Sequence, residues 1–160
     1  MSRTYVAGAS FVGLTMVTTA VLWVANPQVA SAHCQVPCGI YDDAARIARL
    51  NEDTATIAKA VDQINLLSGK HDAQAFNQAS RWIATKEVHA SHIIEVVSQY
   101  FLTQKVKPVA HGGGEHDAYL HKLADHHAVM VAAMKTKQHA DASHVNNLRS
   151  AIARLATYYK

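Results

Sequence analysis

The stretch DDAARIARLNEDTATIAKAVDQINLLSG, residues 42–69, carries the clearest structural pattern in this 160-residue chain. Apolar or small side chains recur in it at alternating intervals of three and four residues, the spacing of one buried face of an α-helix. Two aspartates stand at its start, where a helix favours negative charge, and a glycine at its end, where helices often stop. The pattern predicts a helix from Asp42 to Ser68 with a buried face made of Ile47, Leu50, Thr54, Ile57, Val61, Ile64 and Ser68.

Three further segments show the same helical spacing, from about Asp72 to Phe101, from about Glu115 to Lys137 and from about Ala142 to Tyr159. No segment shows the alternation or β-branched clustering of a sheet. Because most connections are short, the sequence predicts an all-α fold, an antiparallel four-helix bundle. The predicted buried faces are Phe76, Ala79, Ile83, Ala90, Ile94, Val97 and Phe101 in the second helix; Tyr119, Leu123, His127, Met130 and Met134 in the third; and Val145, Leu148, Ile152, Leu155 and Tyr159 in the fourth.

One connection is longer than the others. Residues 103–117, TQKVKPVAHGGGEHD, contain a proline and three successive glycines, so this segment cannot be helical throughout. His111, Glu115 and His116 stand around the glycines and could bind a metal. A solvated flexible loop is the favoured interpretation, because glycine triplets do not hold ligands in a fixed geometry.

Residues 1–32 have the layout of an export signal. A short basic start is followed by an uncharged apolar run and by the small-residue ending ASA at residues 30–32. The apolar run is nearly long enough for an uncleaved membrane anchor, but the Asn-Pro at residues 26–27 and the Ala-x-Ala ending favour cleavage. We therefore predict a signal peptide or pro-segment at residues 1–32, removed by a processing peptidase, and a mature domain at residues 33–160 with no membrane association. The expected location is periplasmic or extracellular, with a cytoplasmic protein after pro-segment removal as the alternative.

The mature domain has a nearly balanced charge. Its 128 residues are enough for one hydrophobic core, and its 14 Lys and Arg against 12 Asp and Glu give a formal net charge of +2. No basic cluster stands out, so the sequence gives no electrostatic reason to expect nucleic acid as a partner.

Histidine is unusually frequent, and ten of the eleven histidines follow His33. His89 and His92 share a helix face, as His121 could with His126 or His127. None of the four glutamates is followed by a histidine three residues on, so the Glu-x-x-His pattern of di-iron bundles is missing. The zinc and haem cysteine signatures are missing too. We therefore predict that the helical histidines are surface or interface residues.

The stretch HCQVPCGIY, residues 33–41, holds both cysteines of the chain. Cleavage after residue 32 would make His33 the amino terminus. A metal bound to the His33 α-amine and the Cys34 backbone nitrogen closes a five-membered ring, and the Cys34 thiolate closes a second one. Two residues thus supply three donors.

A fourth donor stands four positions further on. Cys38 can reach the same metal because Pro37 limits the freedom of the backbone and Gly39 allows a tight turn. The His33 ring can reach an apical position. Two nitrogens and two sulfurs in a square plane select Ni(II) or Cu(II) over zinc, which prefers a tetrahedron. The sequence therefore predicts an amino-terminal metal-binding hook in front of the bundle.

The pattern His-Cys-x-x-Pro-Cys-Gly-x-Tyr at a processed amino terminus, before a four-helix chain of this size, resembles the nickel superoxide dismutase family. Residues 82–108, WIATKEVHASHIIEVVSQYFLTQKVKP, also look like the second helix of that family and its exit. The positions that match the family's nickel-binding hook in type and spacing are His33, Cys34, Pro37, Cys38, Gly39 and Tyr41.

The resemblance implies a superoxide dismutase with one nickel ion per subunit, which converts superoxide to oxygen and hydrogen peroxide by cycling between Ni(III) and Ni(II). It implies a homohexamer of four-helix bundles. The implied nickel ligands are the α-amine and imidazole of His33, the backbone nitrogen and thiolate of Cys34, and the thiolate of Cys38. Tyr41 and Tyr100 would hold ordered water and limit how closely an anion approaches the nickel.

The chain departs from the family in its export signal and in the residues that would support the axial imidazole. Members of the family hold the axial imidazole with a first-helix carboxylate, which a second-helix arginine supports. At the nearest offsets this chain has Ala48, Arg49 and Thr85. Glu52 and Arg81 could replace the missing pair from adjacent turns.

Two other functions remain open from the residues alone. The first is an exported, non-enzymatic nickel- or copper-binding bundle that uses the same hook. The second is a structural bundle with a disulfide between Cys34 and Cys38, a bond that suits an exported protein. Such a disulfide would close a short loop, stabilise the fold little and leave His33 unexplained, so we interpret it as a form of the metal-free protein.

Overall fold

The computed structural model of the protein describes residues 42–159, so the predictions for the signal segment and the hook lie outside the described residues. Within residues 42–159 the chain forms four α-helices and no β-strand. A π-helical segment, Val96–Lys105, continues directly from the second helix and is called the π segment below. The α-helices are α1, Asp43–Leu67; α2, Ala73–Glu95; α3, His116–Gln138; and α4, Ala142–Ala156.

The four helices enclose one core. α1 packs against α2 and α4, and α3 packs against the same two helices. Contacts between the start of α1 and the π segment, and between the middle of α3 and the end of α4, show that successive helices run antiparallel. The predicted all-α four-helix bundle is confirmed.

Aspartate side chains cap three of the four helices. Asp42 accepts hydrogen bonds from the backbone nitrogens of Ala44 and Ala45 at 2.8 and 3.2 Å. Asp72 and Asp141 cap α2 and α4 in the same way. Each such cap stabilises a helix by about 1 kcal/mol, because it satisfies backbone N–H groups that have no partner within the helix. α3 follows the glycine loop and begins without a side-chain cap.

The buried faces predicted for α1 and the fourth helix are largely confirmed. Five of the seven predicted positions of α1 are buried, whereas Ile64 is half-buried and Ser68 exposed. All five predicted positions of the fourth helix are buried, although α4 itself ends at Ala156 and Tyr159 belongs to the turn that follows. The spacing of apolar residues predicts these two buried faces well because polar residues occupy most of the other positions of both helices. Each helix therefore shows a single apolar stripe.

The prediction for the start of α2 is wrong. Phe76 is 75% exposed and Ile83 is 46% exposed, while Ala90 of α2 and Val97 and Phe101 of the π segment are buried as expected. The first three turns of α2 contribute mainly Ala75 to the buried residues. Apolar spacing alone does not distinguish a face turned to this bundle from an apolar face left on its surface.

The predicted register of α3 is displaced by one residue. The buried side chains are His126, Val129, Ala133 and Thr136, rather than the stripe through His127, Met130 and Met134. α3 carries alanine, valine and methionine around most of its circumference, so its apolar spacing points to no single face.

The π segment extends the second helix to Lys105, beyond the predicted end at Phe101. Its hydrogen bonds reach back five residues: the Val106 nitrogen donates to the Phe101 carbonyl at 3.0 Å, and the Thr103 hydroxyl donates to the Ser98 carbonyl at 2.7 Å. π-Helical turns are rare and often occur at functional sites. This one places the consecutive aromatic residues Tyr100 and Phe101 in the core.

Among the helices between residues 42 and 159, none combines the length and the apolar character needed to cross a bilayer.

Candidate metal centre

The predicted hook leads directly into the first turn of α1. Asp43, two positions after Tyr41, is the first residue of that helix, and two groups of the π segment bind its carboxylate. The Tyr100 hydroxyl donates to Oδ1 at 2.5 Å, and the Lys105 ammonium lies 2.9 Å from Oδ2. These contacts hold the π segment against the residues to which the hook is attached.

Tyr100 is kept in its protonated form by these surroundings. Its ring is buried, and burial together with the hydrogen bond to Asp43 and the charge of that carboxylate raises the pKa of Tyr100 to about 12. The guanidinium of Arg46, 5.5 Å from the ring centroid, opposes the shift. Because the phenol proton is donated to Asp43, the Tyr100 oxygen has lone pairs left to accept hydrogen bonds from water.

Tyr159 and His126 form a second buried pair, next to Phe101, the residue that follows Tyr100. The Phe101 ring packs on the Tyr159 ring at a centroid distance of 4.3 Å, and the Tyr159 hydroxyl lies 2.7 Å from His126 Nε2. His126 Nδ1 is 2.6 Å from the Lys122 carbonyl oxygen. Since a carbonyl can only accept, Nδ1 carries the proton and Nε2 accepts from Tyr159.

Both members of this pair are neutral at physiological pH. Burial lowers the pKa of His126, although the bond to the Lys122 carbonyl opposes the shift. Burial also raises the pKa of Tyr159 well above its ordinary value, with smaller contributions from the Asp43 charge and from Tyr100. The prediction that helical histidines lie at the surface is wrong for His126, which is fully buried. A histidine that satisfies both ring nitrogens inside the core loses little by burial.

The two residues suggested as replacements for the missing family pair are both exposed. The Glu52 side chain is largely exposed and pairs with Arg49 at 3.1 Å. Arg81 is exposed on α2. Arg81 stands 19 positions before Tyr100, roughly 28 Å at the rise of an α-helix, so the two residues lie far apart along the second helix and the π segment.

A carboxylate that the sequence analysis did not single out is buried one position after Glu52. Asp53 is 1% exposed, and its two oxygens are bound by His89 Nδ1 at 2.7 Å and His92 Nδ1 at 2.6 Å. Arg49 Nε is 3.9 Å away. Helical periodicity offered a signal, because position 53 falls between the buried positions 50 and 57 on the same face. These bonds link α1 to α2.

The predicted nickel donors lie outside the described residues, and so do the residues that shape the hook: His33, Cys34, Pro37, Cys38, Gly39 and Tyr41. The chemistry of the donor set nevertheless fits nickel, because two thiolates, an amine and a backbone amide suit a square-planar Ni(II) centre. Between residues 42 and 159, no group of three or more His, Cys, Asp or Glu side chains could hold a metal ion. The hook therefore remains the candidate for the redox metal.

Comparison with known proteins shows the family of the chain. A family model described as nickel-containing superoxide dismutase matches residues 28–160, which include the hook and all four helices. No curated protein and no solved structure matched the chain.

Proposed function

The chain belongs to the nickel-containing superoxide dismutase family, and from this premise we propose that the hook at residues 33–41, freed by cleavage after residue 32, holds the nickel and carries the reaction. The protein is a nickel-dependent superoxide dismutase, an oxidoreductase whose substrate is superoxide. Membership in this family favours the enzyme over a non-enzymatic metal-binding bundle.

The donors of the hook explain why this site suits superoxide chemistry. Bound nickel supplies a Ni(III)/Ni(II) couple, which oxidises one superoxide to oxygen and reduces another to hydrogen peroxide. The thiolates of Cys34 and Cys38 and the deprotonated Cys34 amide donate negative charge, which favours the higher oxidation state. The His33 imidazole would be a further nickel ligand and would act in the same direction.

The aromatic residues next to the hook control access in this proposal. Tyr41 is the last residue of the hook, and Tyr100 is fixed by Asp43 at the start of α1. Because Asp43 accepts the hydrogen bond of the Tyr100 hydroxyl, the phenol keeps its proton at physiological pH, and its oxygen can accept a hydrogen bond from an ordered water. A neutral phenol does not repel the superoxide anion, whereas a phenolate would.

The observation that carries the proposal is the hook itself, six residues of fixed type and spacing inside the matched range 28–160. The test is metal analysis of protein purified with its natural amino terminus, combined with sequencing of that terminus. We expect His33 as the first residue and one nickel per chain. Nickel-free protein with full superoxide turnover would contradict the proposal.

The proposal also covers the processing, location and assembly of the protein. The leader at residues 1–32 directs export, and the mature domain assembles as a homohexamer in which neighbouring subunits cover the hook. The short, glycine-containing hook needs such cover because it offers no helical stripe to pack against its own bundle. Light scattering of the active nickel form tests the assembly, and a monomer would overturn it.

A further inference from the structure

The loop between the π segment and α3 brings two imidazole rings together. The centroids of the His111 and His116 rings are 4.9 Å apart, and the ring planes are inclined at 52°. The chain reverses at Gly112, whose φ of +74° is a left-handed conformation that favours glycine. The Gly113 nitrogen then donates to the Ala110 carbonyl at 3.4 Å. The glycine triplet therefore forms a defined turn that places one histidine beside the other.

One of these rings has a buried nitrogen without a hydrogen-bond partner. Across residues 42–159, His116 Nδ1 is the one buried side-chain nitrogen or oxygen that bonds to no other group. Buried polar atoms are nearly always paired, and an unpaired one is costly. His116 differs in this respect from His126, whose two ring nitrogens are both paired.

We propose that His111 and His116 form a binding site for one divalent transition-metal ion, separate from the hook, with water completing the coordination. Two imidazoles suit zinc, copper or nickel. The site has two protein ligands, which agrees with the lack of any larger group of metal-binding side chains between residues 42 and 159.

The spacing of the two rings suits such an ion. With a metal–nitrogen distance of about 2.0–2.1 Å, an imidazole centroid lies roughly 3.2 Å from the ion. Two rings at a ligand angle of roughly 90–110° then have centroids about 4.5–5.2 Å apart. The observed 4.9 Å lies inside this range.

The charges around the loop are also suitable. His116 is the first residue of α3, where the helix dipole is positive. The same dipole would repel a bound cation, but Glu115 and Asp117 flank His116 and supply two compensating negative charges.

The test uses the full chain with Cys34→Ser and Cys38→Ser, so that the hook donors are absent and the result does not depend on the proposed function. Titration calorimetry with zinc chloride is expected to show one ion per chain. His111→Ala and His116→Ala should each weaken binding at least tenfold. His121→Ala, an exposed histidine of the same helix, is the matched control and should leave the affinity unchanged.

Paramagnetic resonance of the copper-loaded chain gives a second reading. Two imidazole nitrogens should couple to Cu(II) in the chain that carries only Cys34→Ser and Cys38→Ser, called the parent. One should couple when His111→Ala or His116→Ala is added. Circular dichroism checks that the variants remain helical. No stoichiometric zinc binding in the parent, or equal weakening by His121→Ala, would overturn the proposal.

Discussion

The hydroxyl of Tyr100 donates a 2.5 Å hydrogen bond to Asp43, a residue 57 positions earlier in the chain. This bond joins the π segment to the first residue of α1. Because the hook at residues 33–41 ends two residues before Asp43, the bond sets the position of Tyr100 relative to the point where the hook joins α1.

Replacing Asp43 should make Tyr100 easier to ionise. Asp43→Asn removes the negative charge that helps to raise the pKa of Tyr100 to about 12, so the pKa should fall towards the ordinary value of 10.0. Burial of the ring remains and should keep it above that value. Ultraviolet difference titration of tyrosinate in metal-free protein measures the change. Asp42→Asn is the control, because Asp42 makes only a minor contribution and asparagine preserves the cap. A larger change of the Tyr100 pKa in Asp42→Asn than in Asp43→Asn would show that Asp43 is not the main charged group acting on Tyr100.

The two cysteines and Tyr41 should respond differently to substitution. Cys34→Ser or Cys38→Ser should abolish nickel binding and activity, because a hydroxyl is a harder and much less acidic donor than a thiol. Tyr41→Phe should retain nickel but change the turnover or its saturation. Nickel analysis with superoxide kinetics separates these outcomes, and loss of nickel in the Tyr41 variant would show that it contributes to holding the metal.

A single extra residue should disable the hook. If Ala32 is retained, the His33 nitrogen becomes an amide whose lone pair is delocalised, and it no longer binds metal as a neutral amine. The bundle should form as before, with little or no nickel-dependent activity, and trimming to His33 should restore it. Circular dichroism and superoxide assays of the two forms are the measurements. Equal activity of both forms would mean that the amine is not a ligand.

The buried hydroxyl of Tyr159 should matter more than the exposed one beside it. Tyr159→Phe leaves His126 Nε2 buried without its donor, which should cost about 1–3 kcal/mol in the free energy of unfolding. Tyr158→Phe removes an exposed bond to Asp125 and should change stability by about 0.5 kcal/mol or less. Urea denaturation of both variants measures the two losses in the free energy of unfolding. Similar losses would mean that the hydrogen bond between Tyr159 and His126 does not stabilise the fold more than the exposed bond of Tyr158.

Asp53 should be essential to stability although its neighbour Glu52 is not. Asp53→Asn replaces a buried carboxylate that two imidazoles bind, so we expect a loss of about 2–4 kcal/mol. Glu52→Gln changes an exposed pair and should cost about 0.5 kcal/mol or less. Urea denaturation measures both. Equal stability of the two variants would show that the links to His89 and His92 do not hold α1 to α2.

Local sequence was enough to place most of the helices. α1 was predicted at residues 42–68 and spans Asp43–Leu67, because aspartate caps and an apolar stripe act within a few residues of one another. The same reasoning failed for the buried face of α3, because alanine, valine and methionine residues occur on most sides of this helix. Packing against the other helices selected the face that contains His126 and Val129. The exposure of Phe76 was likewise not predictable from spacing.

The hook is the feature that the sequence by itself predicts, because the proposed donors lie within six consecutive residues and covalent geometry would set the size of the chelate rings. The tertiary structure decided which distant residues meet in the bundle that follows the hook. Asp43 meets Tyr100, and Asp53 meets His89 and His92, only because α1 and α2 pack antiparallel. Residues 36 to 57 positions apart carry no local signal of contact, since packing of the whole core determines which helix faces meet.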